Sequence, residues 1–209
     1  MKIKYPRTYH LPFSEGLQND DRMIETLDYF IGKEVVITEK LDGENTSIGR
    51  DYSHARSMDS LNHESRTWVK KHAATFQYMI PENHRVCGEN VYAKHSIHYD
   101  NLLSYFYGIS FWNKTTCLSW QDTLDFFNTA LIIHVPVIHI GIFNENMLKN
   151  LAKEIKKDRQ KEGFVVRISN SFDMKDFDKY VCKWVRKGHV QTSKFWLNET
   201  IIKNKLINE

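Results

Sequence analysis

Lys40 and Asp42 stand two residues apart just beyond the run Val35-Val36-Ile37-Thr38, and Gly43 follows them. Valine, isoleucine and threonine favour a strand, and glycine lets the chain turn past its end. If the strand continues through Asp42, its period of two puts Lys40 and Asp42 on one face and Glu39 and Leu41 on the other. A lysine flanked by apolar strand residues is partly desolvated, which lowers its pKa and exposes a neutral, nucleophilic amine. Taken alone, Lys-x-Asp-Gly describes a solvated lysine at a hairpin turn equally well. The residues that share its site decide between the two.

Four further charged groups fall at or beside strand ends: Arg56, Glu89, Glu162 and Lys183. Arg56 belongs to the second of two strands, 46–50 and 52–57, and so lies close to Lys40. Glu89 ends the strand 85–91, where a poor strand former asks for a reason. Glu162 precedes the strand 163–168, and Lys183 lies in the strand 180–185. Parity puts Lys183 and Lys187 on one face and Arg186 on the other. Singly, each reads as an exposed strand end or a surface ion pair. Together they suit attack of an amine on phosphorus. A phosphoramidate needs an unprotonated lysine, hence cationic neighbours or a metal to depress the pKa of Lys40. Charge growing on the phosphate oxygens needs a cation, Lys183 first and Lys187 second.

The elements that must position these groups alternate irregularly. A short helix is expected around Asp20 to Phe30, with Met23, Leu27 and Phe30 marking one face. Trp68, His72, Phe76 and Met79/Ile80 recur at helical spacing until Pro81. Ser104 to Trp112 is apolar on both alternating faces, as a strand buried on two sides would be. Ser119 caps a helix whose stripe is Leu124, Phe127 and Leu131, and Asp122 completes a capping-box-like start. Residues 135–141 read as a strand, and Asn144 to Asp158 as a helix with Met147, Leu151 and Ile155 inward. Gln191 to Glu209 reads as a short helical ending anchored by Phe195, Trp196, Leu197, Ile201 and Ile202. No regular βαβ alternation appears, so the expected class is α+β with largely antiparallel sheets. The chain reads as a single domain over 1–209, with 1–33 as a lead-in and 191–209 as its ending.

The 209 residues suffice for a substantial core, and 41% hydrophobic with 13% aromatic content argues against disorder. Cys87, Cys117 and Cys182 are an odd number without zinc-ligand spacing, which points to a reducing compartment. His95 and His98 could share a helical face, but no third ligand is near. No signal peptide or membrane-span pattern occurs, so a cytosolic protein, bacterial or from a phage-infected host, is expected. Net charge is only +3, yet Lys149 to Lys187 holds twelve Lys/Arg against six Asp/Glu. Such a segment attracts phosphate, although part of it is an ordinary solvated helix face.

The order and surroundings of these groups resemble the motifs of the covalent nucleotidyltransferase superfamily, which comprises ATP-dependent RNA ligases, DNA ligases and mRNA capping enzymes. Lys40-Leu41-Asp42-Gly43 is similar to its motif I, Gly88-Glu89-Asn90 to motif III, Phe106 to Phe111 to the aromatic motif that follows, Glu162 to Arg167 to motif IV and Cys182 to Lys187 to motif V. The likeness runs from about residue 35 to 190 and is greatest to ligases of the phage RNA ligase 2 type in minimal form. It implies an ATP-grasp-like nucleotidyltransferase domain of two packed sheets flanked by helices, with no OB-fold domain behind motif V.

The resemblance further implies ATP as cofactor, with AMP carried covalently on Lys40, together with magnesium or manganese. Lys40, Asp42, Glu162 and Lys183 would be catalytic. Glu39, Lys40, Arg56, Glu89, Ile109, Glu162, Lys183 and Lys187 would bind the nucleotide, with Phe106 and Tyr107 as rivals to Ile109 against the adenine. Glu162 would hold the metal, and Asn45 would engage the donor-strand phosphate. The partner would be RNA with 5′-phosphate and 3′-hydroxyl ends, held by the basic segment and by Arg66, Lys70 and Lys71, with no membrane and a monomeric protein. DNA sealing, GTP-dependent capping or a non-catalytic RNA-binding role are the competing readings.

Overall fold

The structure is a computed structural model that describes residues 2–17, 20–58, 63–188 and 201–207. Eleven strands appear among the described residues: β1 (Tyr9–His10), β2 (Glu34–Lys40), β3 (Glu44–Gly49), β4 (Tyr52–Ala55), β5 (His84–Asn90), β6 (Phe106–Asn113), β7 (Thr116–Cys117), β8 (Val137–Ile142), β9 (Gly163–Ile168), β10 (Phe172–Asp173) and β11 (Val181–Val185). They form two sheets, one ordered β1-β11-β9-β2-β8 and the other β10-β7-β6-β5-β3-β4. All pairings between these strands are antiparallel except β1 with β11. Around them lie α1 (Thr67–Ala73), α2 (Trp120–Thr129), α3 (Glu145–Ile155) and α4 (Phe177–Tyr180). This is the expected α+β architecture of two largely antiparallel sheets flanked by helices.

In the first sheet, parity sorts the side chains into two layers. Val35 and Ile37 of β2, Phe164 and Val166 of β9 and Cys182 and Trp184 of β11 face α3, whose Leu148, Ala152 and Ile155 complete that core. The opposite face carries Thr38, Lys40, Val165 and Lys183. Thr38 is paired with Val165 and Val165 with Lys183, so these side chains lie across from one another on adjacent strands. The sheet thus separates an apolar layer from a chemical one.

The N-terminal residues depart from expectation. No α-helix spans Asp20–Phe30; a single 3-10 turn covers Asp28–Phe30. Residues 22–24 run extended instead, because the His10 N–H bonds to Arg22 O and the Ile24 N–H to His10 O. The helix expected from Trp68 to Ile80 ends at Ala73 and is followed by a 3-10 turn at Gln77–Met79. There the Thr75 hydroxyl donates to His72 O at 2.8 Å, taking a carbonyl the helix would otherwise use. Ser119 caps α2 as expected, its Oγ accepting the Asp122 N–H at 3.0 Å. Leu131 is nonetheless 85% exposed, since it lies past the helix end with φ +54°.

The helical ending also fails where it is described. Residues 201–207 run as an extended clasp, bridging Lys203 to Ala93 and Leu206 to Leu102. Phe195, Trp196 and Leu197 lie outside the described residues. Asn204, fully buried, accepts the Tyr99 N–H at 2.9 Å and donates to Val91 O at 2.8 Å. Its side chain satisfies two backbone groups at once, which a helical anchor would not do. No helix among the described residues is long and apolar enough to cross a membrane. The three cysteines are buried and free.

Candidate active site

Between the sheets opens a cavity of about 670 Å³. Its walls include Glu39, Lys40, Asn45, Arg56, Glu89, Ile109 and Lys183. Glu162, 4% exposed, lies beside it, and its Oε2 accepts from Lys40 Nζ at 2.8 Å. The sheets therefore gather Glu39 and Lys183, which stand 144 positions apart in the chain.

Two glycines make this approach possible. A Cβ on Gly163 would stand 2.0 Å from Trp184 O, so the residue after Glu162 must be glycine for β9 to lie against β11. A Cβ on Gly43 would stand 2.6 Å from Asn90 O, so the glycine after Asp42 serves close packing against β5. Asp42 itself faces away from the cavity walls. Its Oδ2 accepts the Ser96 and Ile97 N–H groups at 2.7 Å each, and its own N–H donates to the Tyr99 hydroxyl at 2.9 Å. Asp42 ties the lysine loop to the segment that the Asn204 clasp supports.

Electrostatics set the resting state of Lys40. Burial pulls its pKa down, but the carboxylates of Glu162, Glu89 and Asp42 outweigh that, and the net direction is upward. The depressed lysine expected from the apolar strand is not what the free site holds: carboxylates surround the amine and keep it an ammonium. Glu89 is driven up to about 8, by burial first and then by Glu162 and Asp42, against the pull of Lys40 and of the Gly43 N–H. Glu39 is also raised by burial, opposed by Lys161, whose Nζ lies 3.7 Å away. Burial and the nearby Lys40 lower Lys183, while Asp21, 3.4 Å from its Nζ, opposes them.

The apolar part of the cavity is formed by Ile109 with Val135, Val165 and Tyr5. Ile109 sits at a register shift between β5 and β6, where Cys87 opposes Ser110 and Gly88 opposes Gly108. Such a bulge re-aims a side chain that plain alternation would bury. The rivals for this wall are placed elsewhere: Phe106 packs under α1 and α2, and Tyr107 turns its hydroxyl to the Leu103 N–H. Asn45 pairs with Glu89 across β3 and β5, its carbonyl accepts the Arg56 N–H, and its buried Oδ1 has no hydrogen-bond partner among the described residues. Lys187 is exposed past the end of β11 and is not among the cavity walls, while Arg186 is buried against Lys161 O.

Several wall residues escaped the sequence reading. Arg7, Asp20, Asp21, Glu44 and His95 all line the cavity. Arg66, expected on a loop toward RNA, is buried there with its Nε 2.6 Å from Glu44 Oε2. His95 and His98 share no helix; His98 instead lies 3.4 Å from Asp100. The lysines of α3 stand on the far side of the first sheet, where Lys149, Lys153 and Lys156 border a groove with Phe13 and Trp184. A signal for the N-terminal residues existed in the adjacent acids Asp20 and Asp21, but the pairing that brings them in is long-range. Among the described residues no cluster of three or more His, Cys, Asp or Glu is arranged to hold a metal.

Comparison with known proteins bears on this arrangement. A comparison with curated proteins finds no match. Among solved structures, the chain is similar to an archaeal ATP-dependent RNA ligase, at TM-score 0.60 and 12% identity over 88% of this chain and 48% of that one. A putative ATP-dependent DNA ligase from Aquifex aeolicus matches at 0.57 and 16% identity, over 88% and 50%. A Naegleria gruberi RNA ligase mutant with ATP and Mn matches at 0.56 and 14%, over 90% and 59%. The chain thus spans about half the length of the first two, and at these identities the likeness is one of fold. The RNA ligase family model matches residues 33–185, which contain Lys40, Glu89, Glu162 and Lys183, and the chain belongs to the RNA ligase family.

Proposed function

We propose that the protein is an ATP-dependent RNA ligase that joins 5′-phosphate and 3′-hydroxyl ends through AMP carried on Lys40. The observation that carries this reading is the pairing of Lys40 with buried Glu162 at 2.8 Å, with Lys183 on the same sheet face. In the first step the Lys40 nitrogen attacks the α-phosphorus of ATP; an N–P bond forms, the bond to the bridging oxygen breaks and pyrophosphate leaves. Lys40 must lose its proton, so the surrounding carboxylates have to be neutralised or turned to other partners as the nucleotide enters. Lys183 faces the charge that grows on the α-phosphate oxygens. The adenine lies against Ile109 and Val165, Glu89 accepts from the ribose hydroxyls, and Arg56 binds sugar or phosphate oxygens through its planar fork.

In the second step an RNA 5′-phosphate oxygen takes the AMP and Lys40 regains its proton. In the third a 3′-hydroxyl displaces AMP and seals the strand. Asn45, whose backbone carbonyl accepts the Arg56 N–H, would engage the RNA end through its side-chain amide N–H groups, which can donate to a phosphate oxygen.

A magnesium or manganese ion, when bound, supplies neutralisation of the phosphates. Glu162, a buried carboxylate, would hold such an ion, which would take its remaining ligands from phosphate and water. Incubation with ATP labelled on the α-phosphate and a divalent metal tests the proposal: an acid-stable label that Lys40→Ala abolishes is expected, followed by sealing of RNA. The resemblance to the Aquifex protein favours DNA sealing as a second reading. Nicked RNA, nicked DNA and single-stranded RNA compared side by side, and GTP compared with ATP, separate the two and the capping alternative.

A further inference from the structure

The family match begins at residue 33, yet the cavity has walls from further upstream, Asp21 among them. How Asp21 is held is specific. Strand β1 lies parallel to β11, with His10 opposite Lys183, and the Leu11 N–H bonds to Lys183 O at 2.7 Å. His10 is 1% exposed. Its Nδ1 lies 2.7 Å from Ser14 Oγ, and Ser14 Oγ accepts the Val185 N–H at 3.0 Å. Its Nε2 is 3.1 Å from Asp21 Oδ2. The other carboxylate oxygen, Oδ1, is 3.4 Å from Lys183 Nζ. Ser14, His10, Asp21 and Lys183 form one line of polar contacts from the body of the fold into the cavity.

We propose that the N-terminal segment belongs to the catalytic machinery, with Asp21, braced by His10, as a positioning residue that keeps the Lys183 ammonium charged and aimed into the cavity. This rests on the adenylyl transfer proposed above. The groups facing Lys183 are Lys40 on β2, Glu162 before β9, and Asp21 with His10 behind it. Burial and Lys40 oppose the charge on Lys183, whereas Asp21 and Glu162 favour it. His10 contributes no competing charge near neutrality, because burial and Lys183 hold it down to about 4. Without Asp21, Lys183 would lose its proton at lower pH and leave the α-phosphate without its cation.

The test is the rate of Lys40 adenylylation, in single turnover, as a function of pH. Asp21→Asn is nearly isosteric and removes the charge. Its penalty against the unsubstituted protein is expected to grow with pH, from little at pH 6 to about tenfold at pH 9, as for loss of a single opposite charge at this distance. In the Lys183→Arg background that growth should vanish, because arginine stays charged throughout. His10→Asn leaves the carboxylate but removes its brace; it should show the same trend more weakly, and it is read in place of Asp21→Asn if that variant does not fold. A penalty equal at all pH values in the folded variants would overturn the proposal and leave Asp21 a structural residue. Failure of the underlying reading looks different, since the unsubstituted protein would then form no adduct at all.

Discussion

Lys40 is an ammonium at rest, held by carboxylates that the reaction must displace. Glu162 is its nearest partner at 2.8 Å, and the same carboxylate orients the amine toward the cavity. Glu162→Gln keeps the shape but removes that charge. Adduct formation is expected to fall about a hundredfold, the scale seen when a preorganised charged group is lost from an active site. The Lys40 side chain would remain in place, so circular dichroism should be unchanged; full activity in Glu162→Gln would remove this residue from the mechanism. Ile109 is argued to act differently, as a wall that binds the adenine equally in ground and transition states. Ile109→Ala should therefore raise the KM for ATP about tenfold with little change in kcat, in line with the worth of a small apolar contact. A loss confined to kcat would contradict that role.

At the scale of elements, the site exists because β9 lies hard against β11 and β3 against β5. Gly163→Ala would put a methyl group 2.0 Å from a backbone oxygen, and backbone cannot give way as a side-chain tip can. A destabilisation of about 2–3 kcal/mol is expected, measurable by urea unfolding, together with loss of the Lys40–Glu162 register. Gly163→Ala with unchanged stability would show that the strands are free to part. The strands that carry Lys40, Glu89 and Lys183, and the strand that Glu162 precedes, were legible in the sequence, since β-branched and aromatic runs leave few alternatives. The placement of Ile109 was legible from the motif, although not the bulge that aims it. What stayed hidden depends on distant backbone pairing: residues 22–24 joined to His10, and 201–207 joined to Ala93 and Leu102. Of the residues that suggested helices there, Leu27 and Phe30 pack into the core, whereas Met23 and Ile202 are half exposed. The pKa direction of Lys40 was also misread, because apolar neighbours in sequence said nothing of carboxylates arriving from β5 and β9.

For the whole molecule, the N-terminal and C-terminal segments brace the lysine-bearing sheet from opposite ends of the chain, one through His10 and Asp21 and the other through Asn204 and Tyr99. His10 couples this bracing to pH. Its folded pKa of about 4 lies below the ordinary histidine value, so between these values the unfolded chain binds more protons and stability rises with pH. From pH 7 to pH 5 the native state should lose about 2 kcal/mol from this residue, and His10→Gln should flatten that slope in denaturant titrations. An unchanged slope would mean that His10 is protonated in the fold. The central claim is that the two sheets assemble a site in which Lys40 becomes covalently adenylylated. The most direct measurement is the intact mass of the protein after incubation with ATP and magnesium or manganese. The account predicts a gain equal to one adenylyl group, located on Lys40 by peptide mapping and absent from Lys40→Ala and strongly reduced in Lys183→Ala. A protein that binds ATP yet never gains that mass, or gains it on another residue, would contradict it.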